Sequence, residues 1–192
     1  MNEITNIIIT GVGGQGILLA SEIISESAVQ AGYDVKRSEI HGMSQRGGSV
    51  NSHIRFGKKI YSPLVMMGEC DLLLSFEKLE SLRMVDFVKP DGTIIVNDQQ
   101  INPSTVASGM ATYPDNIEEV LRTHFKSVVF VNALGIAKQA GNMRTANIAL
   151  LGAASRKLNI PGEIWEGAIV KRVPERAIEA NLKAFQLGLQ VV

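Results

Sequence analysis

The chain is short and carries no excess of either charge, which argues against several classes of protein. It has 192 residues, with 19 Lys and Arg against 19 Asp and Glu, one cysteine and three histidines. This length predicts a single domain over residues 1–192, and the balanced charge argues against a nucleic-acid binder, which needs excess positive charge to neutralise phosphates. One cysteine excludes an iron–sulfur cluster or structural zinc site held by this chain alone, and the histidines show no metal-ligand spacing, so no metal site is predicted.

The amino-terminal residues show no basic region followed by a long apolar stretch, so no secretory signal is predicted. No apolar run approaches the ~18 residues that a membrane-spanning helix needs. We therefore expect a cytoplasmic protein without a membrane partner.

A β-α-β unit is predicted at the start of the chain. Residues 5–10 form a short β-branched run that is typical of a buried parallel strand. Glycine-rich residues 11–16 follow it. Apolar residues near helical spacing then predict a helix over 15–31, which Gly32 closes, and residues 33–40 have the pattern of a second strand.

The next stretch interrupts the alternation of strands and helices. Residues 41–48 are polar and glycine-rich, and residues 49–56 alternate strictly between apolar and polar side chains. Such alternation predicts a half-exposed strand. A turn at residues 57–59 predicts a hairpin with Ile60 and Tyr61, as an excursion beside the main sheet.

The alternation then resumes, and the last third of the chain is mostly helical. Together the elements predict an α/β fold with a mostly parallel, doubly wound, Rossmann-like sheet, a β-hairpin excursion and a helical carboxyl-terminal portion. The later strands are predicted at residues 71–76, 93–97 and 127–131, and the later helices at 79–88, 116–125, 147–158, 161–170 and 175–189.

The turn at residues 11–16, GVGGQG, satisfies G-x-G-x-x-G between a strand and a helix. Backbone amides at such a helix start suit a phosphate. A dinucleotide site also requires an acidic residue at the end of the second strand, and Glu39 is the candidate for it. The alternative is a glycine turn that serves only packing or an interface. The candidate cofactor-binding residues of this region are Gly11, Gly13, Gly14, Gln15, Gly16 and Glu39.

A second glycine-rich segment follows the second strand and contains Arg46, whose guanidinium suits a carboxylate or phosphate. If the second strand is parallel to the first, both segments lie at one edge of the sheet and form a cleft. The alternative is a surface loop with a solvated arginine. The segment supplies the candidates Ser44, Gln45, Arg46, Gly47 and Gly48. No Ser/His/Asp or Cys/His set and no carboxylate pair stands out, so no catalytic residue is predicted.

The sequences of these segments are similar to those of one known family. Residues 11–16, followed by SEIHGMSQRGGSV at 38–50 and NIALLGA at 147–153, resemble the gamma domain of pyruvate/2-oxoacid:ferredoxin oxidoreductases. The resemblance covers nearly the whole chain and is strongest to the small-subunit branch of the indolepyruvate enzymes. The segment GMSQRGG is more specific than the glycine turn.

The resemblance implies a complex that decarboxylates a 2-oxoacid oxidatively, forms an acyl-CoA and reduces ferredoxin. It places thiamine diphosphate and [4Fe-4S] clusters on a separate large subunit, with CoA as co-substrate. This chain would complete the assembly, and it could form a homodimer when isolated. Two alternatives stay open: a stand-alone NAD(P)-dependent oxidoreductase with Glu39 on the ribose, and an assembly module that binds no small ligand.

Overall fold

The structure is a computed structural model that describes residues 4–41 and 48–191, with only the backbone of His41. At its centre is a six-stranded sheet of order β2-β3-β1-β4-β5-β6. β1, β4, β5 and β6 are parallel neighbours. The strands are β1 (Thr5–Val12), β2 (Asp34–His41), β3 (Ser49–Gly57), β4 (Cys70–Ser75), β5 (Val88–Asn97) and β6 (Ser127–Val131).

Helices cover both faces of this sheet, as the buried apolar strands predict. In β1, Ile7 and Ile9 pack into one core while Ile8 packs into the core on the other face. The mostly parallel α/β fold predicted from the sequence is confirmed. The helices are α1 (Ile17–Gln30), α2 (Lys78–Met84), α3 (Ser104–Ala107), α4 (Ile117–His124), α5 (Ala133–Gln139), α6 (Ala146–Ser155), α7 (Gly162–Arg172) and α8 (Ile178–Leu189).

β3 lies inside the sheet and not beside it. It pairs antiparallel with β2, from Asp34 opposite Gly57 to His41 opposite Val50, and antiparallel with β1 on its other side. Residues 58–69 contain no strand, so the predicted pairing of β3 with Ile60 and Tyr61 is wrong. The alternation misled the prediction because the polar side of β3 is also largely covered.

The polar side of β3 is covered by the β3–β4 loop (residues 58–69). The backbone N–H of Val65 donates to Nδ1 of His53 over 3.1 Å, and Arg55 donates from Nη1 to the carbonyl oxygens of Ser62 and Leu64. His53 is only 4% exposed. Hydrogen bonds of this kind let polar side chains of a strand be buried without loss.

Helices α6 and α8 make the closest packing contact on the carboxyl-terminal side. A Cβ atom at Gly152 would lie 2.2 Å from the Phe185 carbonyl oxygen, and one at Gly188 would lie 2.1 Å from the Ala149 carbonyl oxygen. The two backbones therefore touch where glycine removes the side chain. Among the helices of the two described ranges, none has both the length and the hydropathy of a transmembrane segment.

Acidification is expected to destabilise the fold through His53. Burial lowers the pKa of His53, so the folded protein holds it neutral while the unfolded chain takes up a proton below about pH 6.5. The stability that depends on the neutral ring is therefore complete above that pH and is lost as the pH falls. We expect the free energy of unfolding to drop by about 1 kcal/mol more in the wild type than in His53→Gln between about pH 7.5 and 5.5. Urea titrations at both pH values measure this difference, and equal drops would contradict the assignment.

Candidate functional site

The first glycine-rich turn meets Gly48, the last residue of the second glycine-rich segment, at the carboxyl edge of the parallel strands. Val12 is opposite Ser49 in the ladder between β1 and β3, and the N–H of Gly13 donates to the Gly48 carbonyl oxygen over 3.0 Å. Gly48 thus lies against the first turn, as the cleft hypothesis requires. The other candidates of that segment, Ser44, Gln45, Arg46 and Gly47, lie outside the described residues.

The side chain of Gln15 holds the first turn in place. Its Oε1 accepts from the N–H of Val12 over 2.7 Å, and its Nε2 donates to the Phe76 carbonyl oxygen over 2.8 Å and to Oε1 of Gln99 over 3.1 Å. These bonds join the turn to the residues that follow β4 and β5. Gln15 therefore positions the turn with its side chain and leaves the backbone to face a ligand.

Three glycines of the turn are required by its geometry. A Cβ atom at Gly11 would lie 2.8 Å from Cβ of Phe76. Gly14 and Gly16 have φ angles of 100° and 84°, which belong to the left-handed region that favours glycine. A Cβ at Gly16 would lie 2.6 Å from Nδ2 of Asn147, whereas one at Gly14 would meet nothing within 4 Å.

A cavity of about 460 Å³ opens beside this turn. No side chain caps the amino end of α1, so the first N–H groups of that helix have no partner inside the helix. Arg144 brings a positive charge, and the cavity wall carries no carboxylate among the residues that the structure describes. The chemistry of this wall suits an anion. The lining residues are Gly14, Gln15, Gly16, Phe76, Asn97, Gln99, Leu134, Met143, Arg144, Ala146, Asn147 and Leu150.

Glu39 lies farther from the turn than a dinucleotide site requires. In a Rossmann site the second strand is the neighbour of the first, but here β3 separates β2 from β1, which adds a strand spacing of about 4.8 Å. Oε1 of Glu39 accepts from Oγ of Ser21 over 3.2 Å and is 3.8 Å from Nε of Arg37. The structure thus places Glu39 against α1.

Two buried carboxylates that the sequence analysis missed lie after β4. Glu77 is 1% exposed and accepts from the N–H of Glu80, the N–H of Ile101 and the hydroxyl of Tyr113. Burial, followed by the bond to Glu77, raises the pKa of Tyr113. The hydrogen bonds of Glu77 therefore hold the chain that follows β5 against the start of α2.

Glu80 lies beside Ser49, the first residue of β3. Its Oε2 accepts from Oγ of Ser49 over 2.5 Å, and burial raises the pKa of Glu80. The spacing E-x-x-E directly after a predicted strand was the available signal, because side chains at a strand's carboxyl end and on the first helical turn lie close together.

No metal ligand set is present in the described ranges, where no three or more His, Cys, Asp or Glu side chains are grouped suitably. Burial raises the pKa of Cys70 to about 12, so its thiol stays protonated and is a poor ligand or nucleophile.

The sequence profile described as Pyruvate ferredoxin/flavodoxin oxidoreductase matches residues 6–191. The chain belongs to this family. This match confirms the resemblance that residues 11–16 and the segment around Arg46 indicated. It also confirms the prediction that the chain is a subunit of the oxidoreductases of this family.

Relatives of the family have similar lengths. The chain is 41% identical to the indolepyruvate oxidoreductase subunit IorB of Thermococcus kodakarensis, over 96% of this chain and 94% of that one. It is 31% identical to the 2-oxoglutarate synthase subunit KorC of Methanocaldococcus jannaschii, over 95% of this chain and 91% of that one.

Solved structures of the family share the fold. The keto/oxoacid ferredoxin oxidoreductase gamma subunit of Geobacter sulfurreducens superposes with a TM-score of 0.75 at 26% identity, over 98% of this chain and 96% of that one. The 2-oxoglutarate:ferredoxin oxidoreductase of Magnetococcus marinus gives a TM-score of 0.78 at 20% identity, and there this fold is 31% of a longer chain.

Proposed function

We propose that this chain is the small subunit of a 2-oxoacid:ferredoxin oxidoreductase that acts on indolepyruvate or another aryl pyruvate. The complex would decarboxylate the 2-oxoacid oxidatively and form an acyl-CoA, with ferredoxin as electron acceptor. The observation that carries this proposal is the 41% identity with an indolepyruvate oxidoreductase subunit along nearly the full length of both chains. We further propose that residues 1–192 form one gamma-type domain and act in the cytoplasm.

The redox cofactors belong to a partner in this proposal. The only cysteine, Cys70, is buried, and four thiolates are needed for a [4Fe-4S] cluster. This chain's residues therefore do not fit such a cluster. We assign the clusters and thiamine diphosphate to a separate large subunit, on which CoA and the 2-oxoacid react. This chain binds neither nucleic acid nor membrane in the proposal, and a homodimer of the isolated chain would use the surface meant for the large subunit.

The proposed task of this chain is to shape the entrance of the site. One wall is the first turn, where Gly14 and Gly16 expose backbone amides and Gln15 fixes the geometry. The other wall would be the second segment, whose last residue, Gly48, lies beside the turn. Arg46 would face an anionic group of the substrate or CoA. The proposed contact residues are Gly11, Gly13, Gly14, Gln15, Gly16, Ser44, Gln45, Arg46, Gly47 and Gly48, without Glu39, which packs against α1.

Reconstitution with the large subunit tests the proposal. We expect the two chains together to oxidise indolepyruvate in the presence of CoA and ferredoxin, and neither chain to do so alone. Arg46→Ala should lower kcat/KM by about tenfold, since a charge-assisted hydrogen bond contributes about 1.5–3 kcal/mol. Arg156→Ala, an exposed arginine at the far end of α6, is the matched control and should retain activity. Oxidation of 2-oxoacids by this chain alone, or a large subunit indifferent to it, would contradict the proposal.

The glycine turn alone would suit a stand-alone NAD(P)-dependent oxidoreductase with Glu39 on the ribose, but β3 separates β2 from β1 and Glu39 packs against α1, which argues against it. Calorimetry with NADH decides between the two functions, because micromolar binding that Glu39→Ala abolishes would support the dehydrogenase. An assembly module without a ligand predicts instead that Arg46→Ala weakens complex formation and leaves the kinetics of the saturated complex unchanged.

A further inference from the structure

The β3–β4 loop presents an apolar patch, made of four side chains, between the end of β3 and the start of β4. Tyr61 is 89% exposed, Leu64 45%, Met66 63% and Met67 71%. These four lie within seven consecutive residues, whereas the other large exposed apolar side chains of the described ranges are scattered along the chain. Exposed apolar residues that cluster mark an interaction surface, while single ones need no explanation.

The loop that carries the apolar patch is fixed to the rest of the fold. Ile60 and Val65, two further apolar residues of the loop, are 1% and 2% exposed and anchor it in the protein interior. The N–H of Ile60 donates to Oδ2 of Asp34 over 2.9 Å, and Arg55 holds two carbonyl oxygens in the middle of the loop. Because the patch is already ordered, a partner that binds it loses little conformational entropy.

A groove of about 470 Å³ lies beside the apolar patch. The N–H of Gly68 in the loop donates to the Asp86 carbonyl oxygen over 3.0 Å, and Asp86 lines the groove together with the apolar residues Val85, Val120 and Phe125. One face of the molecule therefore carries both projecting apolar side chains and a recess that can receive them. This combination suits a two-fold interface, in which each copy presents the same surface to the other.

The start of the β3–β4 loop has an excess of positive charge. Lys58 and Lys59 are both exposed. Lys59 shares the carboxylate of Asp34 with Lys36, and Lys58 makes no ion pair with any residue of the ranges 4–41 and 48–191. Three lysines thus surround one carboxylate at this end of the loop.

The end of the β3–β4 loop has an excess of negative charge. Glu69 is exposed there. The hydrogen bond that Lys89 donates to Asp71 raises the pKa of Lys89, and the nearby carboxylates of Asp91 and Glu69 raise it further. Three carboxylates thus surround one lysine. When a second copy is turned by half a rotation, the basic end of each loop faces the acidic end of the other, which is the complementarity that fixes the register of an interface.

We propose that the apolar patch and the adjacent groove join two copies of the isolated chain about a two-fold axis, with Lys58 of each copy facing Glu69 of the other. The zero net charge leaves no long-range repulsion between copies. A standard interface buries roughly 800 Å² of each partner, and the apolar patch supplies a substantial share, since one tyrosine can bury about 150–250 Å².

The proposed dimer surface is remote from the glycine turn. It lies at the opposite end of the eight-residue strand β1 from that turn, which is a distance of about 25 Å at the usual rise per residue. Only the identification of this surface with the one meant for the large subunit rests on the proposed function.

Sedimentation equilibrium on the isolated full chain tests the surface without a large subunit. We expect the wild type to dimerise at high micromolar concentration. Met67→Glu should raise the dimer dissociation constant by about tenfold or more, because the dimer would bury two carboxylates among apolar groups. Met110→Glu is the matched control, at a methionine that is 76% exposed outside the patch, and should leave the dissociation constant unchanged. Thermal melts check that every variant is folded.

Reversed charges test the two-fold arrangement. Lys58→Glu and Glu69→Lys should each raise the dissociation constant by about threefold or more, because each places like charges opposite one another at two equivalent positions. The variant with both substitutions restores the two pairs with their signs exchanged, so we expect it to dimerise like the wild type. A purely structural effect of either substitution would not be rescued in this way.

Three results would overturn the proposal: a wild type that stays monomeric at high micromolar concentration, Met67→Glu that dimerises as tightly as the wild type, or a double charge variant without rescue. If the dimer forms as expected while reconstituted activity fails, the proposed function is wrong and the dimer surface stands. An active reconstituted complex whose isolated small chain is monomeric overturns the dimer surface alone.

Discussion

Gly188→Ala is expected to destabilise the protein by about 3 kcal/mol or more, at the upper end of the cost of overpacking a core. The added methyl group would lie 2.1 Å from the Ala149 carbonyl oxygen. Because that atom is backbone in the middle of the buried helix α6, it cannot turn aside as a side chain would. The two helices must separate, and their shared core must open. Urea titration of the free energy of unfolding measures the loss, and Gly152→Ala should behave alike.

Gly167→Ala is the matched control for this prediction. Gly167 also lies inside a helix, α7, but a Cβ atom there meets nothing within 4 Å. Alanine is the better helix former by about 0.8–1 kcal/mol, so this variant should be slightly more stable than the wild type. A Gly188→Ala variant as stable as Gly167→Ala would show that α6 and α8 do not touch through their backbones.

Gly16→Ala is expected to cost about 3 kcal/mol of stability through two effects, backbone strain and overpacking. The φ angle of 84° is strained for alanine, and the new methyl group would lie 2.6 Å from Nδ2 of Asn147. Since Asn147 is buried, it can move away only by leaving its position in the wall of the cavity beside the turn.

Gly14→Ala separates the two effects. Gly14 has a φ angle of 100° in the same turn, with nothing within 4 Å of an added Cβ. This variant should show the strain alone, of about 1–2 kcal/mol, without displacing Asn147. Urea titrations measure both variants, and equal losses of stability would contradict the contact between Gly16 and Asn147.

The sequence predicted β2 and four strands whose side chains enter the cores on both faces of the sheet, β1, β4, β5 and β6. β1, β4, β5 and β6 are short apolar runs bounded by polar or glycine residues, a pattern that specifies burial without reference to distant parts of the chain. β3 was predicted as a strand but placed outside the sheet. Alternation shows which side chains share a face, but whether a loop such as residues 58–69 covers the polar face depends on the tertiary fold.

The candidate site also contains one part that the sequence predicted and one part that it did not. The meeting of the first turn with Gly48 followed from strand direction alone, because parallel strands end at one edge. Arg144 and Asn147 were not predicted as site residues, since they lie more than a hundred residues from the turn, and the motif NIALLGA at 147–153 indicated the family but no contact with the turn. Packing of α6 against the turn brings these residues to the site.

The position of β3 also constrains the order in which the chain can assemble during synthesis on the ribosome. Thr5 is opposite Phe56, and the other neighbour of β1 is β4, where Ile7 is opposite Leu72. The apolar residues of β1 therefore leave the exit tunnel roughly fifty residues before their first partner strand is complete, an interval of about 3–10 s at ordinary elongation rates. Throughout that interval an unpaired strand is exposed to any nearby chaperone or neighbouring nascent chain.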